Sequence, residues 1–374
     1  MARIPTFHGV FDACANLWDM SLGPGVADLT PAPSSIIDEG PQRTVHRYRP
    51  TTRARRHAPV LLVPPLAAPA RCFDLRRGAS LVQHLVALGY PTYLVDYGPI
   101  AFSDRQLGLE HWVDDVIPNA VEAVTEDAAG LPVQLVGWCL GGIMSVLAVA
   151  GNELPVGSVS LIASPFDFAK VRTMAPIRRL AELTGGRLVT GLYSALGGAP
   201  APLVSLGFQL TALDKRVTKP LTIIRHINDR DLLAHIEAVD DYMAHMLAYP
   251  GRTFAQLYHR FFRINDLADG RVELSDRTID IADVDVPALV VAGTNDVLAP
   301  AEAVLAAEEL LTGTPVVRVE RAPGGHLGVL TGRGARLATW RYLDEFLAAN
   351  DVEQAALGQA AAEASGREAP AAVA

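Results

Sequence analysis

The sequence predicts an α/β fold built on one mostly parallel sheet with helices on both faces. Three observations lead there. Short, largely apolar runs of strand length recur at 58–63, 92–96, 133–136, 158–162, 287–292 and 315–319. Segments of helical period lie between most of them, as at 80–88, where Leu81, Leu85 and Leu88 share a face and Gly89 follows as a stop. Strands without polar alternation, separated by helices, suit a sheet buried on both sides. Finally, the run 133–136 passes through Gly137-Trp138-Cys139-Leu140-Gly141-Gly142 directly into an apolar helix at 143–150.

The chain can be taken in order from that outline. Residues 1–42 carry scattered Pro and Gly and read as an irregular lead-in with a short helix around 7–20. Residues 44–49 alternate polar and apolar side chains, which suits an edge strand. Core elements fill 43–169, including a helical stretch at 109–129 that Pro118 is expected to kink or break. From 170 to 284 the pattern is helical or irregular with no clear strand, and it includes the aromatic cluster Tyr249, Phe254, Tyr258, Phe261 and Phe262. This reads as a mainly helical cap inserted into the core. The core resumes at 285–349 with two strands, a helix at 301–311 and a closing helix at 334–348. Residues 350–374, rich in Ala and Glu and free of aromatics, read as a disordered tail.

Bulk properties narrow the function classes. Half of the 374 residues are hydrophobic and 20% are charged, with a formal net charge of −9. That balance argues against nucleic acid or an anionic membrane as the main partner. Cys14, Cys72 and Cys139 share no metal-ligand spacing and cannot all pair, so no metal site and no bound cofactor is expected. No secretory pattern opens the chain, which makes the cytoplasm the expected compartment. No uninterrupted apolar run of about 18 residues occurs. The stretch 188–213 comes nearest, broken by Gly, Pro and Ser. The surface of an apolar granule is compatible with this composition.

The strand–turn–helix at Cys139 has the form of a nucleophile elbow, G-x-S-x-G, with cysteine in place of serine. Flanking glycines let strand and helix approach closely around a nucleophile held on a tight turn. The helix N-terminus also favours thiolate over thiol. Such a nucleophile needs a base, and the base an orienting acid, in the chain order nucleophile, acid, base. Asp296 follows the strand at 287–292, and His326 follows the strand at 315–319 within Pro323-Gly-Gly-His-Leu-Gly328. Both fall at the C-terminal sheet edge, where the elbow points. The other nine histidines lie on helices, in the insertion or ahead of the core, so His326 is preferred. The oxyanion donors are expected at the Leu140 N–H and in the loop Val63-Pro-Pro-Leu-Ala-Ala-Pro69, where Pro64, Pro65 and Pro69 have no N–H and Leu66 is preferred. Asp104-Arg105 reads as an exposed ion pair, and Gly185-Gly186 and Gly197-Gly198 as hinges or turns. These features together predict an α/β-hydrolase fold. The substrate-binding residues are not assigned.

Several short motifs in these regions resemble the short-form polyhydroxyalkanoate synthases. They are the box Gly137-Trp-Cys-Leu-Gly-Gly142, the loop Val63-Pro-Pro-Leu66 followed by Asp74-Leu-Arg76, and Leu94-Val-Asp-Tyr-Gly98 with Asp104-Arg-Gln-Leu-Gly-Leu109. Ser164-Pro-Phe-Asp-Phe168, Asn295-Asp296 and Pro323-Gly-Gly-His-Leu-Gly328 complete the set. The resemblance spans residues 58–345. It implies an acyltransferase that takes the acyl group of (R)-3-hydroxyacyl-CoA onto Cys139 as a thioester and passes it to a growing polyester hydroxyl. It implies that His326 activates the thiol and that Asp296 orients His326 and helps activate the incoming 3-hydroxyl. It further implies work with a separate non-catalytic subunit or as a homodimer, and a chain lacking the long form's additional N-terminal domain. Two departures stand out. Ala68-Pro69 replace the family's usual Asn and Arg, and the stretch 240–254 lacks its tryptophan-containing element. The alternatives are a cysteine-dependent esterase, lipase or thioesterase on the same fold, and a non-catalytic lipid-binding subunit.

Overall fold

The computed structural model describes residues 13, 15–16, 18–20, 22–50, 57–174, 198–211 and 213–351, with side chains of 208–217 left out. An eight-stranded sheet organises them. Its strands are β1 (Ser35–Gly40), β2 (Arg43–Tyr48), β3 (Val60–Val63), β4 (Thr92–Asp96), β5 (Val133–Trp138), β6 (Val156–Ile162), β7 (Ala288–Gly293) and β8 (Val317–Ala322). Their spatial order is β1-β2-β4-β3-β5-β6-β7-β8. The first two strands join antiparallel, and every pairing from β4 to β8 is parallel. The order reverses at β3, so the loops after β3 and β5 open side by side at the C-terminal edge. This is the α/β-hydrolase arrangement.

The apolar runs are explained by burial on both faces. Leu61, Val63, Tyr93, Val95 and Leu135 point into one core layer, while Val60, Leu62, Leu94, Val136 and Trp138 point into the other. Helix α1 (Leu81–Leu88) starts at Ser80, whose hydroxyl accepts from the Gln83 N–H, and ends at Gly89 with φ 99°. The stretch expected to break at Pro118 changes register just before it. A π-helical segment, Trp112–Val116, precedes α2 (Ile117–Asp127), so Pro118 sits in a first turn, where its missing N–H costs nothing. Helix α3 (Leu140–Gly151) follows β5 after a single residue, a tighter turn than the six-residue one expected.

Three readings need correction. The strand at 44–49 is not an edge strand, because β1 pairs outside it. The lead-in 1–42 therefore ends in a sheet strand. That strand is half exposed and lacks an alternating pattern, which hid it. The region 170–284 does contain strands. Gly198–Ala199 pairs with Tyr249–Pro250, and Arg271–Leu274 forms a hairpin with Arg277–Asp280 around Ser275 at φ 55°. These two- and four-residue pieces are too short for a periodic signal. Asp104 and Arg105 make no ion pair: Asp104 accepts from the Ala101 N–H, and Arg105 lies over the Phe102 ring. Most of the helix at 7–20, Cys14, Gly185-Gly186, Gly197 and the tail beyond 351 lie outside the described residues.

Among the described residues the insertion is otherwise helical, with Ala201–Thr211, Leu213–Arg225 and α4 (Arg230–Ala244) the longest helices. Helix α4 is clamped to the core by charge. Asp231 pairs with the buried Arg76 at 2.7 Å and with Arg333 at 2.9 Å, and Asp229 caps the helix while binding Arg333. Its other flank, Glu237, accepts from the Val26 and Ala27 N–H groups. No helix among the described residues is long and apolar enough to cross a membrane.

Gly141 tests this packing. It lies inside α3, where helix propensity alone would favour alanine by about 1 kcal/mol. A Cβ there would run into the Val63 carbonyl and approach the Pro64 oxygen to 2.7 Å. Gly141→Ala is therefore expected to lose about 1–3 kcal/mol of stability rather than gain it. Urea denaturation of the variant and the wild type reads the sign.

Candidate active site

Cys139 is the single residue between β5 and α3, with φ 54° and ψ −123°. A side chain rarely adopts that backbone, and residues held so are found at functional turns. The glycines around it have steric reasons. A Cβ on Gly137 would come within 2.5 Å of the Gly142 nitrogen, and one on Gly142 would strike the Ser164 hydroxyl. Cys139 as a residue is half-buried.

His326 reaches Cys139 from the turn after β8. Gly324, at φ 144°, turns the chain where a Cβ would meet the Val329 nitrogen at 2.6 Å. The Gly324 carbonyl accepts from Asn295, and the Ala322 carbonyl accepts from Thr294, so the acid and base loops are tied together. The His326 Nδ1 lies 2.8 Å from Asp296 Oδ2. The other Asp296 oxygen accepts from the Leu298 and Ala299 N–H groups, each at 2.9 Å, and its side chain is fully buried. Both oxygens of Asp296 are thus engaged. Cys139 is the other group that acts on the His326 ring.

The electrostatics follow from this enclosure. Burial by itself would drive the proton off His326. The negative charges of Cys139 and Asp296, with the hydrogen bond to Asp296, outweigh burial and raise its pKa to about 10. The base is therefore held as an imidazolium beside the Cys139 side chain.

The predicted oxyanion donors lie on adjoining strands. Leu140 begins α3, so its N–H has no acceptor within the helix. Leu66 and Ala67 form the centre of a tight turn after β3, with Ala67 at φ 60°. That turn is held on two sides. The Tyr97 hydroxyl donates to the Pro64 carbonyl at 3.0 Å, and the Leu247 N–H from the insertion donates to the Ala67 carbonyl at 2.9 Å.

Three residues at the site escaped sequence reasoning. Trp138 packs against His326 with ring centroids 5.1 Å apart and planes tilted by 36°, and it donates its indole N–H to the His326 carbonyl at 3.2 Å. An aromatic residue next to the nucleophile was the available signal. Leu247 acts through its backbone, which no side-chain pattern reveals. Tyr242, buried on α4, packs in the same apolar layer as Cys139. Among the described residues no cluster of three His, Cys, Asp or Glu could hold a metal ion.

No family model matches the chain. It is similar to curated poly(3-hydroxyalkanoate) polymerase subunits. It is 24% identical to PhaC of Haloferax mediterranei over 84% of this chain and 63% of that protein. It is 25% identical to PhaC of Synechocystis over 79% of each. PhaC of Allochromatium vinosum is 24% identical over 86% of this chain and 92% of its own length. Among solved structures, mouse alpha/beta hydrolase domain-containing protein 10 superposes with a TM-score of 0.49 at 16% identity, covering 84% of this chain and 98% of that one. The fold assignment above rests on strand order and connectivity.

In the wild type, folded His326 holds a proton that an unperturbed histidine loses near pH 6.5. A pKa raised on folding contributes stability fully below that pH, and the contribution vanishes as the pH climbs through about 10. Asp296→Asn removes one of the two charges responsible. Its His326 ring is expected to titrate well below the wild-type midpoint in an NMR pH series. Turnover is expected to fall on the order of 10²- to 10⁴-fold.

Proposed function

We propose that this chain is an acyltransferase of the polyhydroxyalkanoate synthase type, using 3-hydroxyacyl-CoA as acyl donor and a growing polyester hydroxyl as acceptor. The observation that carries the reading is a half-buried cysteine on the elbow, set beside a histidine that a buried carboxylate orients. It occurs in a chain similar to poly(3-hydroxyalkanoate) polymerase subunits over about four-fifths of its length. Thiolate chemistry suits a thioester donor, because exchange between two thioesters is nearly thermoneutral.

The steps follow from the geometry. The Cys139 thiolate attacks the acyl carbonyl, and the N–H groups of Leu140 and Leu66 are the donors assigned to the developing oxyanion. The bond to the CoA sulfur breaks as the His326 imidazolium gives its proton to the departing thiolate. Neutral His326 then takes the proton of an acceptor hydroxyl as that oxygen attacks the Cys139 thioester. The bond to Cys139 breaks, and thiolate and imidazolium are restored. Asp296 keeps Nδ1 protonated throughout. With both its oxygens engaged inside the protein, its part is to orient His326, and deprotonation of the acceptor falls to His326. We place the work at the surface of the apolar product, with a separate non-catalytic subunit or a second copy of the chain as partner. No metal or bound cofactor enters these steps.

Incubation of the pure protein with 3-hydroxybutyryl-CoA, alone and with a candidate partner subunit, tests this. Release of CoA with formation of polymer is expected. Release of CoA with accumulation of free 3-hydroxybutyrate would make the chain a hydrolase instead. No release under either condition would favour a non-catalytic subunit.

A further inference from the structure

The loop that carries the base is held by the residue bonded to Cys139. Trp138 is the last residue of β5 and is 4% exposed. It pairs with Ile162 of β6, and the Cys139 N–H donates to the Ile162 carbonyl at 2.9 Å. From this fixed position the indole makes two contacts with one partner. Its N–H donates to the His326 carbonyl at 3.2 Å. Its ring packs against the His326 ring, with centroids 5.1 Å apart and planes tilted by 36°.

Each contact supplies something that the rest of the loop does not. The turn after β8 closes through its own backbone: the Gly325 carbonyl accepts from Val329, and the Leu327 carbonyl accepts from Leu330 and Thr331. The carbonyl between them, that of His326, takes the indole N–H. Trp138 therefore pins the backbone at the base itself. The imidazole is gripped at one corner, where Nδ1 lies 2.8 Å from Asp296 Oδ2. One hydrogen bond leaves a ring free to pivot about that corner. The indole lies against the ring and removes this freedom. An aromatic face at this distance also favours the imidazolium over the neutral imidazole. The charged and titratable groups acting on the same ring are Cys139 and Asp296.

We propose that Trp138 is a positioning residue for His326, fixing the base against the elbow through its indole N–H and favouring the charged base through its ring. The proposal rests on the acyltransferase reading only in that His326 serves Cys139. It makes the residue before the nucleophile, besides the acid, responsible for where the base stands. Because Trp138 and Cys139 are consecutive, one short piece of strand sets the spacing between nucleophile and base.

The test compares wild type, Trp138→Phe and Trp138→Leu in CoA release from 3-hydroxybutyryl-CoA and in an NMR pH series of the His326 ring. Trp138→Phe keeps a ring and loses the N–H. Its kcat is expected to fall on the order of 10-fold with KM unchanged, since a displaced base slows the chemistry without weakening binding. Trp138→Leu loses both contacts. Its kcat is expected to fall on the order of 100-fold, and its His326 midpoint to lie about half to one pH unit below wild type. A wild-type kcat in Trp138→Phe would overturn the proposal. So would a raised KM at unchanged kcat, or a wild-type His326 midpoint in Trp138→Leu. If Trp138→Leu does not fold, kcat and KM of Trp138→Phe decide alone. If wild type releases no CoA, the acyltransferase reading has failed, and the His326 midpoint in Trp138→Leu still decides the role of Trp138.

Discussion

Everything at this site depends on one residue holding a left-handed backbone. Cys139 makes the whole connection from β5 to α3 at φ 54°, a conformation that costs of order 1–3 kcal/mol for a residue with a side chain. The turn persists because its neighbours leave no alternative. Gly137, Gly141 and Gly142 bring strand, helix and the end of β3 so close that any side chain there would collide with backbone or with Ser164. The thiol is thereby set at the start of α3, next to the Leu140 N–H and opposite His326.

The rest of the site is fastened to that point from several directions. Trp138 precedes Cys139 by one residue, yet it also holds His326, by packing tilted against its ring and donating to its carbonyl. A movement of the elbow would therefore move His326 as well. The turn after β3 is held by Tyr97 at Pro64 and by Leu247 at Ala67, so the insertion is bonded directly to the C-terminal edge of the sheet. Helix α4 is fixed through Arg76, Arg333 and Glu237. Because Arg76 is buried, removing Asp231 would strand its charge, which is far more damaging than losing an exposed pair.

How much of this could be read from the sequence depends on how local the determining physics is. The core strands, the turn at Cys139 and the pairing of Asp296 with His326 were legible, because apolar runs mark buried strands and glycine-flanked residues after them mark the C-terminal edge of the sheet. Strand β1 was not, because its side chains are half exposed and its place is fixed by pairing with β2. The short strands of the insertion depend on partners about 50 residues away in one case and on a two-residue turn in the other. Leu247 stayed hidden for a related reason: its importance comes from what its backbone meets across the fold.

The claim at the centre of this account is that Cys139, activated by His326, takes the acyl group as a thioester. Mass spectrometry of the protein quenched after brief exposure to 3-hydroxybutyryl-CoA measures that directly. The account predicts one or more 3-hydroxybutyryl units on the peptide carrying Cys139, with neither adduct nor CoA release in Cys139→Ala. Acylation mapped to another residue, or CoA release that survives in that variant, would contradict it.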